Sequence, residues 1–365
     1  MKKPILFLTL VTFLGVFSAQ DLRAQGKPVS KEEALKFSHY IETETNAGRP
    51  DALNGVFDLD KLIENIGKYS KLMADKSFID GFRSGFAGSM GTYGVKITTS
   101  TRGGSYQLLK AYEKDGSQHL LFRMYGNGGL NYHDYILTRT KDSVKASDCY
   151  VYTTDEDLSK TMGKLLDMMM ASSQSTTEIP EEVKMVTTLN DLKNKGDYAG
   201  AKQYYDKLTD RTKDNKAVQV IYLSVCQHLD KNLYQDQLEH YAMLYPSSSS
   251  GYLLMLDLYF LKKEYNKGLT AVNKLDTLVG KDPFLDFYRG IFYQMGGMKE
   301  QALACYERVY RYDPQITSNT NELIVAYLDG NQNDKAKKVV AEYKKSPAFR
   351  QENLNTLYDK YPALK

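Results

Sequence analysis

The sequence contains few cysteines and few prolines, and neither sign of charge is in clear excess. Nine Pro and 26 Gly among 365 residues, with 42% apolar and 25% charged residues, exclude a collagenous, mucin-like or wholly disordered protein. Cys149, Cys226 and Cys305 are far apart and form no Cys-x-x-Cys pair. We therefore predict buried thiols, and neither a disulfide framework nor a metal site.

The small net charge limits the classes of partner. The formal net charge is +3, of which Lys2, Lys3, Arg23 and Asp21 in the first 24 residues contribute +2, which leaves +1 for the remainder. A nearly neutral chain has little general attraction for nucleic acid or anionic lipid. We expect no nucleic-acid partner.

The N-terminal residues have the pattern of a secretory signal. Lys2 and Lys3 precede an apolar run from Ile5 to Phe17, which is too short to cross the ~30 Å of a bilayer comfortably. We expect residues 1–24 to be a cleaved signal peptide, with no cysteine at the junction for a lipid anchor. The mature chain is then periplasmic or secreted, without stable membrane insertion; an uncleaved helical anchor is the alternative.

The second half of the chain repeats about every 34 residues. Two columns of positions are spaced by 33, 34, 34 and 34 residues. The first column is Ala201, Tyr234, Gly268, Ala302 and Ala336, and the second is Leu192, Val225, Tyr259, Tyr293 and Tyr327. Small residues let paired helices approach closely, and such pairs must stack to bury their apolar faces. Tyr234 interrupts the small-residue column, so we expect looser or shifted packing there.

This pattern resembles a degenerate tetratricopeptide repeat. The matching residues are Gly290, Tyr293, Gly297, Ala302, Tyr306, Asp313 and Pro314. The resemblance covers residues 182–347 and implies five helical hairpins stacked in an all-α solenoid. Apolar residues at helical spacing in 348–365 predict a C-terminal capping helix.

The resemblance also implies a concave surface, formed by one face of each first helix, that holds a peptide or another protein's helix. The positions that correspond to this surface are Gln219, Leu223, Leu253, Asp257, Phe260, Phe287, Ile291, Gln294, Asn321 and Val325. Phe260, Phe287 and Ile291 favour an apolar patch with aromatic anchors. Alternatively, these residues contact the N-terminal domain or a neighbouring repeat.

Residues 28–170 predict an α+β domain that begins with helices. Ser30 and Glu33 form a capping box for a first helix, whose buried stripe is Ala34, Phe37, Ile41 and Tyr40. A second helix is predicted from Asp58 to Lys71. A third carries phenylalanines at 78, 82 and 86, and its glycines at 81 and 85 suggest close helix packing.

Alternating residues and short turns then predict a sheet. The expected strands are 93–101, 104–114, 117–126, 131–141 and 144–153, paired antiparallel as hairpins in a curved sheet. Both faces of the third strand carry apolar residues, so part of the second face should be covered. A closing helix follows Asp155. The order of elements loosely resembles nuclear-transport-factor-like or cystatin-like domains, and the polar residues 171–181 are expected to be a linker.

No stretch matches a phosphate loop, a Gly-x-Ser-x-Gly elbow, a His-Glu-x-x-His helix or a calcium loop. The glycine-rich segment 126–129 lies between strands and is interpreted as a hairpin turn. His133 and Asp134 are adjacent in one strand, so they face opposite sides and form no dyad. An alternative small pocket consists of Tyr132, Asp134, Asp148 and Tyr150 on one sheet face.

The sequence therefore favours a non-catalytic adaptor, without cofactor, that binds a protein or peptide in the cell envelope through its helical repeats. The alternative is an N-terminal domain that binds or hydrolyses a small ligand, with the repeats as a docking module. An unfilled pocket around Asp134 and Asp148 would favour that alternative.

Overall fold

The computed structural model describes residues 28–170, 181–246 and 250–364. The predicted signal peptide and all but the last residue of the predicted linker lie outside these ranges. The N-terminal helices are α1 (Lys31–Asn46), α2 (Asp51–Asn54), α3 (Leu59–Gly67), α4 (Lys76–Met90) and α5 (Tyr93–Ser100), with a 3-10 turn at Lys71–Ala74 between α3 and α4. Helix α1 begins with the predicted capping box, in which Ser30 and Glu33 bond reciprocally.

The sheet is an antiparallel meander. Its strands are β1 (Ser105–Lys114), β2 (Ser117–Gly126), β3 (Gly129–Arg139), β4 (Val144–Val151) and β5 (Glu156–Asp157), in the order β1-β2-β3-β4-β5. Asp115 and Gly116 both have positive φ in the β1–β2 turn, as tight hairpins require. Residues 126–129 form the β2–β3 turn, as predicted.

One sheet face packs on the N-terminal helices. Its buried residues include Tyr106, Leu120, Phe122 and Tyr135, in one apolar cluster with residues of α1 to α5 such as Ile41. The rings of Tyr106 and Phe122 stack at 4.9 Å. The residues of this sheet face and of α1 to α5 together form the apolar core of the first half.

The prediction of a strand at 93–101 is wrong, because this segment forms α5. The β-branched residues of this segment favour a strand, but tertiary contact overrides that preference. Gly94 donates its N–H to the Asn54 side chain over 2.8 Å, and a Cβ at Gly94 would come within 2.0 Å of the Pro50 carbonyl oxygen. Only a glycine at position 94 allows α5 to lie this close to the backbone at the start of α2.

Two details of the predicted helices are also wrong. Tyr40 is 50% exposed, and Ser38 takes the buried position in α1. A Cβ at Gly81 or Gly85 would meet nothing within 4 Å, so neither glycine is used for close packing among the described residues. Helix α4 packs its phenylalanine side instead, with Phe82 and Phe86 stacked at 5.0 Å.

Helix α6 (Leu158–Met170) closes the first half, and helical pairs follow. The pairs are α7 (Glu181–Asn194) with α8 (Tyr198–Asp206), α10 (Lys216–Leu229) with α11 (Lys231–Leu244), α12 (Ser250–Leu261) with α13 (Tyr265–Leu278), α14 (Leu285–Met295) with α15 (Lys299–Tyr312), and α16 (Thr317–Asp329) with α17 (Asn333–Tyr343). A short helix, α9 (Asp210–Lys213), lies between the first two pairs. In the described residues beyond Glu181, every regular element is helical.

The helix starts in the structure reproduce the repeat spacing predicted from the sequence. The second helices begin at Tyr198, Lys231, Tyr265, Lys299 and Asn333, so successive starts are 33, 34, 34 and 34 residues apart. The fourth residue of each second helix is the member of the first column: Ala201, Tyr234, Gly268, Ala302 or Ala336. Ala302 and Ala336 are both buried there, which confirms their equivalent positions. The C-terminal half is thus a tetratricopeptide-like helical repeat region.

Small residues make close contacts possible within the stack. A Cβ at Gly268 would lie 2.3 Å from the Phe292 ring, and one at Gly290 would lie 2.3 Å from the Tyr306 ring. Tyr234, the exception in this column, reaches the next pair and donates its hydroxyl to Asp257 over 2.6 Å. The large residue is therefore accommodated by a hydrogen bond between pairs.

The last elements are α18 (Gln351–Lys360) and a 3-10 turn at Pro362–Leu364. Leu354 and Leu357 are buried in the same cluster as Val339 and Tyr343 of α17. The end of the stack is thereby shielded from water. Within residues 28–170, 181–246 and 250–364, no helix is long and apolar enough to cross a membrane.

Candidate functional site

The residues predicted to line a concave repeat surface are mostly covered. Four are buried: Gln219, Leu223, Leu253 and Phe287. Five are half-buried: Asp257, Ile291, Gln294, Asn321 and Val325. Phe260 is 43% exposed. Of the ten positions, Phe260 therefore offers the largest open side chain.

The second face of the sheet accounts for part of this cover. Leu121, Leu130 and Tyr132 of that face belong to the same apolar cluster as Leu253 and Phe287. Ile291 and Val325 pack against this cluster. The sheet and the repeats thus share one continuous core, and the predicted cover on the sheet's second face is provided by the repeats.

A buried ion pair lies at this interface. Arg123 of β2 donates to Asp282, before α14, over 2.6 Å, and both side chains are 0% exposed. Tyr132 donates its hydroxyl to the other carboxylate oxygen over 2.9 Å, and Arg123 also donates to Gln107 over 2.5 Å. The guanidinium lies 4.5 Å from the centre of the Phe284 ring. Further hydrogen bonds make such a buried pair tolerable, although Arg123 Nε is buried without a hydrogen-bond partner among the described residues.

Asp282 also organises the backbone around it. Its carboxylate accepts the N–H of Phe284 over 3.0 Å, and its own N–H donates to Asp276 over 2.8 Å. A second contact lies nearby, where Tyr125 packs on the Phe284 ring at 4.5 Å and donates to Ser318 over 2.7 Å. The sheet therefore contacts the segment that precedes α14 and the first turn of α16.

Three polar residues of the predicted surface are engaged within the repeats, whereas Asn321 Oδ1 is buried without a hydrogen-bond partner among the described residues. Gln219 donates to the Lys213 carbonyl oxygen over 2.6 Å and also contacts Gln237. Gln294 accepts the Tyr306 hydroxyl over 2.8 Å. Burial raises the pKa of Asp257, whose carboxylate accepts the Tyr234 hydroxyl. These side chains hold neighbouring helices together.

The four residues of the alternative pocket do share one sheet face. Asp134 pairs with Tyr150, and Asp148 lies opposite Ile136 in the same register. Each of the four has its own partners. Asp134 accepts from Tyr112 and lies 3.3 Å from His119 Nδ1, whereas Tyr132 bonds Asp282.

Asp148 and Tyr150 complete that set. Asp148 accepts the N–H of Ser159 over 3.1 Å and the hydroxyl of the same serine, so it anchors the start of α6. Burial raises the pKa of Asp148. Tyr150 donates to Asp155 over 2.5 Å. The two residues hold the turn that leads from β4 into α6.

A buried tyrosine and histidine network was missed by sequence reasoning. On the face opposite Asp134, His133 Nδ1 lies 3.0 Å from the Tyr106 hydroxyl, which lies 2.9 Å from that of Tyr135. Tyr135 in turn lies 3.0 Å from Tyr93. Burial lowers the pKa of His133 to about 4, so the ring is neutral near pH 7.

The tautomer of His133 follows from its neighbours. The Asn131 oxygen accepts the N–H of both Tyr132 and Thr153, which leaves its amide nitrogen to donate to His133 Nε2 over 3.1 Å. His133 therefore carries its proton on Nδ1 and donates it to Tyr106. Alternation along β3 places residues 131, 133 and 135 on one sheet face, and the sequence predicts this. The β1 residue that meets them is set by a bulge at residues 108–110.

All three cysteines are buried, as predicted. Burial is the largest of the causes that raise the pKa of each thiol. The pKa of Cys226 rises to about 11. Protonated, enclosed thiols are poor nucleophiles and poor metal ligands. Among the residues that the structure describes, no group of three or more His, Cys, Asp or Glu side chains is arranged to hold a metal ion.

Comparisons with known proteins give weak similarities. No protein-family profile and no curated protein matches the chain. A crystal structure of MamA covers 50% of this chain and 96% of its own, at 19% identity and a TM-score of 0.36. A point mutant of MamA covers 44% of this chain and 94% of its own, at 12% identity and a TM-score of 0.34.

A thermophilic TPR protein of Thermus thermophilus covers 50% of this chain and 98% of its own, at 17% identity and a TM-score of 0.36. The repeat architecture of the present chain rests on its own helix starts and buried small residues.

Proposed function

We propose that this protein is a non-catalytic adaptor of the cell envelope, in which the sheet domain and the repeat stack form one scaffold. A partner protein binds the open part of the inner repeat surface around Phe260. The observation that carries this proposal is the 43% exposed Phe260 on α12, among predicted surface residues that are otherwise buried or half-buried. Aromatic anchors of this kind dominate the binding energy of protein interfaces.

The engagement of the titratable groups supports a non-catalytic role. His133 bonds Tyr106 and Asn131, Asp148 bonds Ser159, and Asp134 bonds Tyr112. Each of these contacts organises the sheet or the start of a helix. These titratable groups of the first half are therefore used to build its core.

The envelope location rests on the N-terminal sequence. Residues 1–24 combine a dilysine start with a short apolar run, which is typical of a cleaved signal. Mass spectrometry of the protein purified from its native host tests this point. An N-terminus at or near Gln25 is expected, and an intact Met1 would contradict the cleavage.

The binding surface is tested by crosslinking in a native envelope fraction. Phe260→Ala should abolish a crosslinked partner that the wild-type chain captures. Leu278→Ala is the matched control, since Leu278 is 46% exposed on α13 and is not among the predicted surface residues. A partner retained by the Phe260 variant, or lost equally in both variants, would contradict the proposed surface.

A further inference from the structure

Two adjoining clefts lie beside the first turns of α13, outside the predicted inner surface. One has a volume of about 260 Å³ and includes Tyr252, Tyr259 and Lys274 in its walls. The other, about 560 Å³, lies at the turn between α12 and α13 and extends to the turn before α15. Both include Asn266 and Lys267, so they meet at that point. We call the two together the third-repeat cleft.

The charged residues of the third-repeat cleft are mainly cationic. Lys263, Lys267 and Lys274 stand against one carboxylate, Glu264, which gives the lining a net charge of +2. Glu264 is paired with Lys267 at 3.0 Å. Across the described residues, no carboxylate lies within ion-pair distance of Lys263 or Lys274, and Lys274 Nζ instead lies 5.1 Å from the centre of the Tyr252 ring. Two cations are thus left without a counter-charge.

Four of the uncharged lining residues can also donate hydrogen bonds from their side chains. The hydroxyls of Tyr252, Tyr259 and Tyr265 and the side chain of Asn266 have no hydrogen-bond partner in the part of the chain that the structure describes. Elsewhere in the repeats, Tyr234 and Tyr306 donate to neighbouring side chains. A complementary ligand must therefore supply several acceptors and negative charge, together with flat or apolar surface for the tyrosine rings.

We propose that the third-repeat cleft binds an extended, acidic segment of a partner protein. Aspartate or glutamate carboxylates of the segment pair with Lys263 and Lys274, and its backbone and side chains cover Tyr252 and Tyr259. An extended chain can occupy both clefts because they share Asn266 and Lys267 in the first turn of α13.

The number of cations favours a peptide over nucleic acid. Proteins that hold nucleic acid through its backbone commonly make about 6–10 phosphate contacts, whereas this cleft supplies two uncompensated lysines. Two charge-assisted contacts with aromatic cover are enough for a peptide of modest affinity.

The test uses the whole mature chain and a fluorescein-labelled peptide with the sequence (Asp-Glu-Ala)4, followed by fluorescence anisotropy. We expect the dissociation constant to rise at least about tenfold in the Lys263→Gln/Lys274→Gln variant. Lys335→Gln is the matched control, because Lys335 Nζ lies 5.4 Å from the Tyr327 ring centre but outside the cleft. This control should bind as the wild-type chain does.

Three results would overturn the proposal: equal binding by the double variant, equal binding of the uncharged peptide (Asn-Gln-Ala)4, and tighter binding of a twelve-nucleotide single-stranded DNA than of the acidic peptide. The last result would assign the surface to nucleic acid. Phe260→Ala should leave the acidic peptide bound, so failure of this proposal is distinguishable from failure of the Phe260 surface.

Discussion

The two faces of the sheet bury different chemistry. The face toward the N-terminal helices is held by aromatic rings and neutral hydrogen bonds, such as the bond from His133 to Tyr106. The face toward the repeats contains the fully buried pair of Arg123 and Asp282, whose members are 159 residues apart in the chain. Neutral contacts are present on both faces, and the face toward the repeats adds a buried charge pair that joins the distant halves.

This difference has a physical consequence. Charges that leave water are costly, and they are stabilised only when both partners reach the correct geometry. A docked but misaligned sheet would leave Arg123 or Asp282 buried alone. The ion pair therefore penalises misaligned docking more strongly than an apolar contact of the same size would.

The largest expected effect comes from removing one charge of this pair. Asp282→Ala leaves Arg123 uncompensated and should lower the free energy of unfolding by about 3–5 kcal/mol, as measured by denaturant titration. Arg123→Met combined with Asp282→Leu removes both charges and should cost much less. If the double variant is as unstable as the single one, the charge pair is not what joins the halves.

The opposite face is tested by pH. The folded pKa of His133 is about 4 and the unfolded value is 6.5, so between these pH values the unfolded chain binds more protons and stability rises with pH. A shift of this size corresponds to about 3 kcal/mol lost from pH 7 to pH 4. His133→Gln should remove this part of the pH dependence, measured as the difference in unfolding free energy from wild type.

His228→Gln is the control for the histidine prediction, since His228 is exposed on α10. The control should keep the wild-type slope between pH 4 and 6.5. A His133 variant with an unchanged slope would show that the ring does not titrate as a buried neutral group.

Close packing within the repeats gives a smaller effect. Gly268→Ala places a Cβ against the Phe292 ring and should destabilise the chain by about 1–3 kcal/mol in denaturant titration. Gly81→Ala is the matched change in an open helix position and should stabilise it by about 0.5–1 kcal/mol. The same sign for both variants would contradict the contrast between a packed and an open glycine.

The smallest expected effect concerns a single neutral bond across the repeat-facing side. Tyr125→Phe removes the hydrogen bond to Ser318 and should cost about 0.5–1.5 kcal/mol. Tyr259→Phe, whose hydroxyl has no partner among the described residues, should be nearly neutral. Thermal unfolding monitored by circular dichroism distinguishes the two, and equal shifts would remove the assigned role of the Tyr125 hydroxyl.

Much of the fold was predictable because local and periodic signals agree with the final packing. The capping residues at Ser30 and Glu33, the turn at 115–116 and the register of the repeats each depend on nearby residues. The segment 93–101 failed because its β-branched residues favour a strand, whereas the approach of Gly94 to α2 requires a helix. Residue preference was outweighed there by one backbone contact.

The candidate site was less predictable than the fold, because it depends on contacts between distant segments. The repeat register identified Phe260 and Phe287 as positions of one surface, but it contained no information on what covers Phe287. The lysines and tyrosines of the third-repeat cleft come from two helices and a turn, and no fixed spacing marks them in the sequence. That Lys263 and Lys274 have no carboxylate partner among the described residues is visible only in the three-dimensional arrangement.

The sequence by itself determined the helix pairs, their 34-residue step and the strands β1 to β4, because these depend on periodicity and on residues at turns. The tertiary structure alone decided that the sheet docks on the repeats through Arg123 and Asp282, and which repeat residues stay open. Contacts between residues that far apart depend on shape and burial over the whole molecule, and no local pattern encodes them.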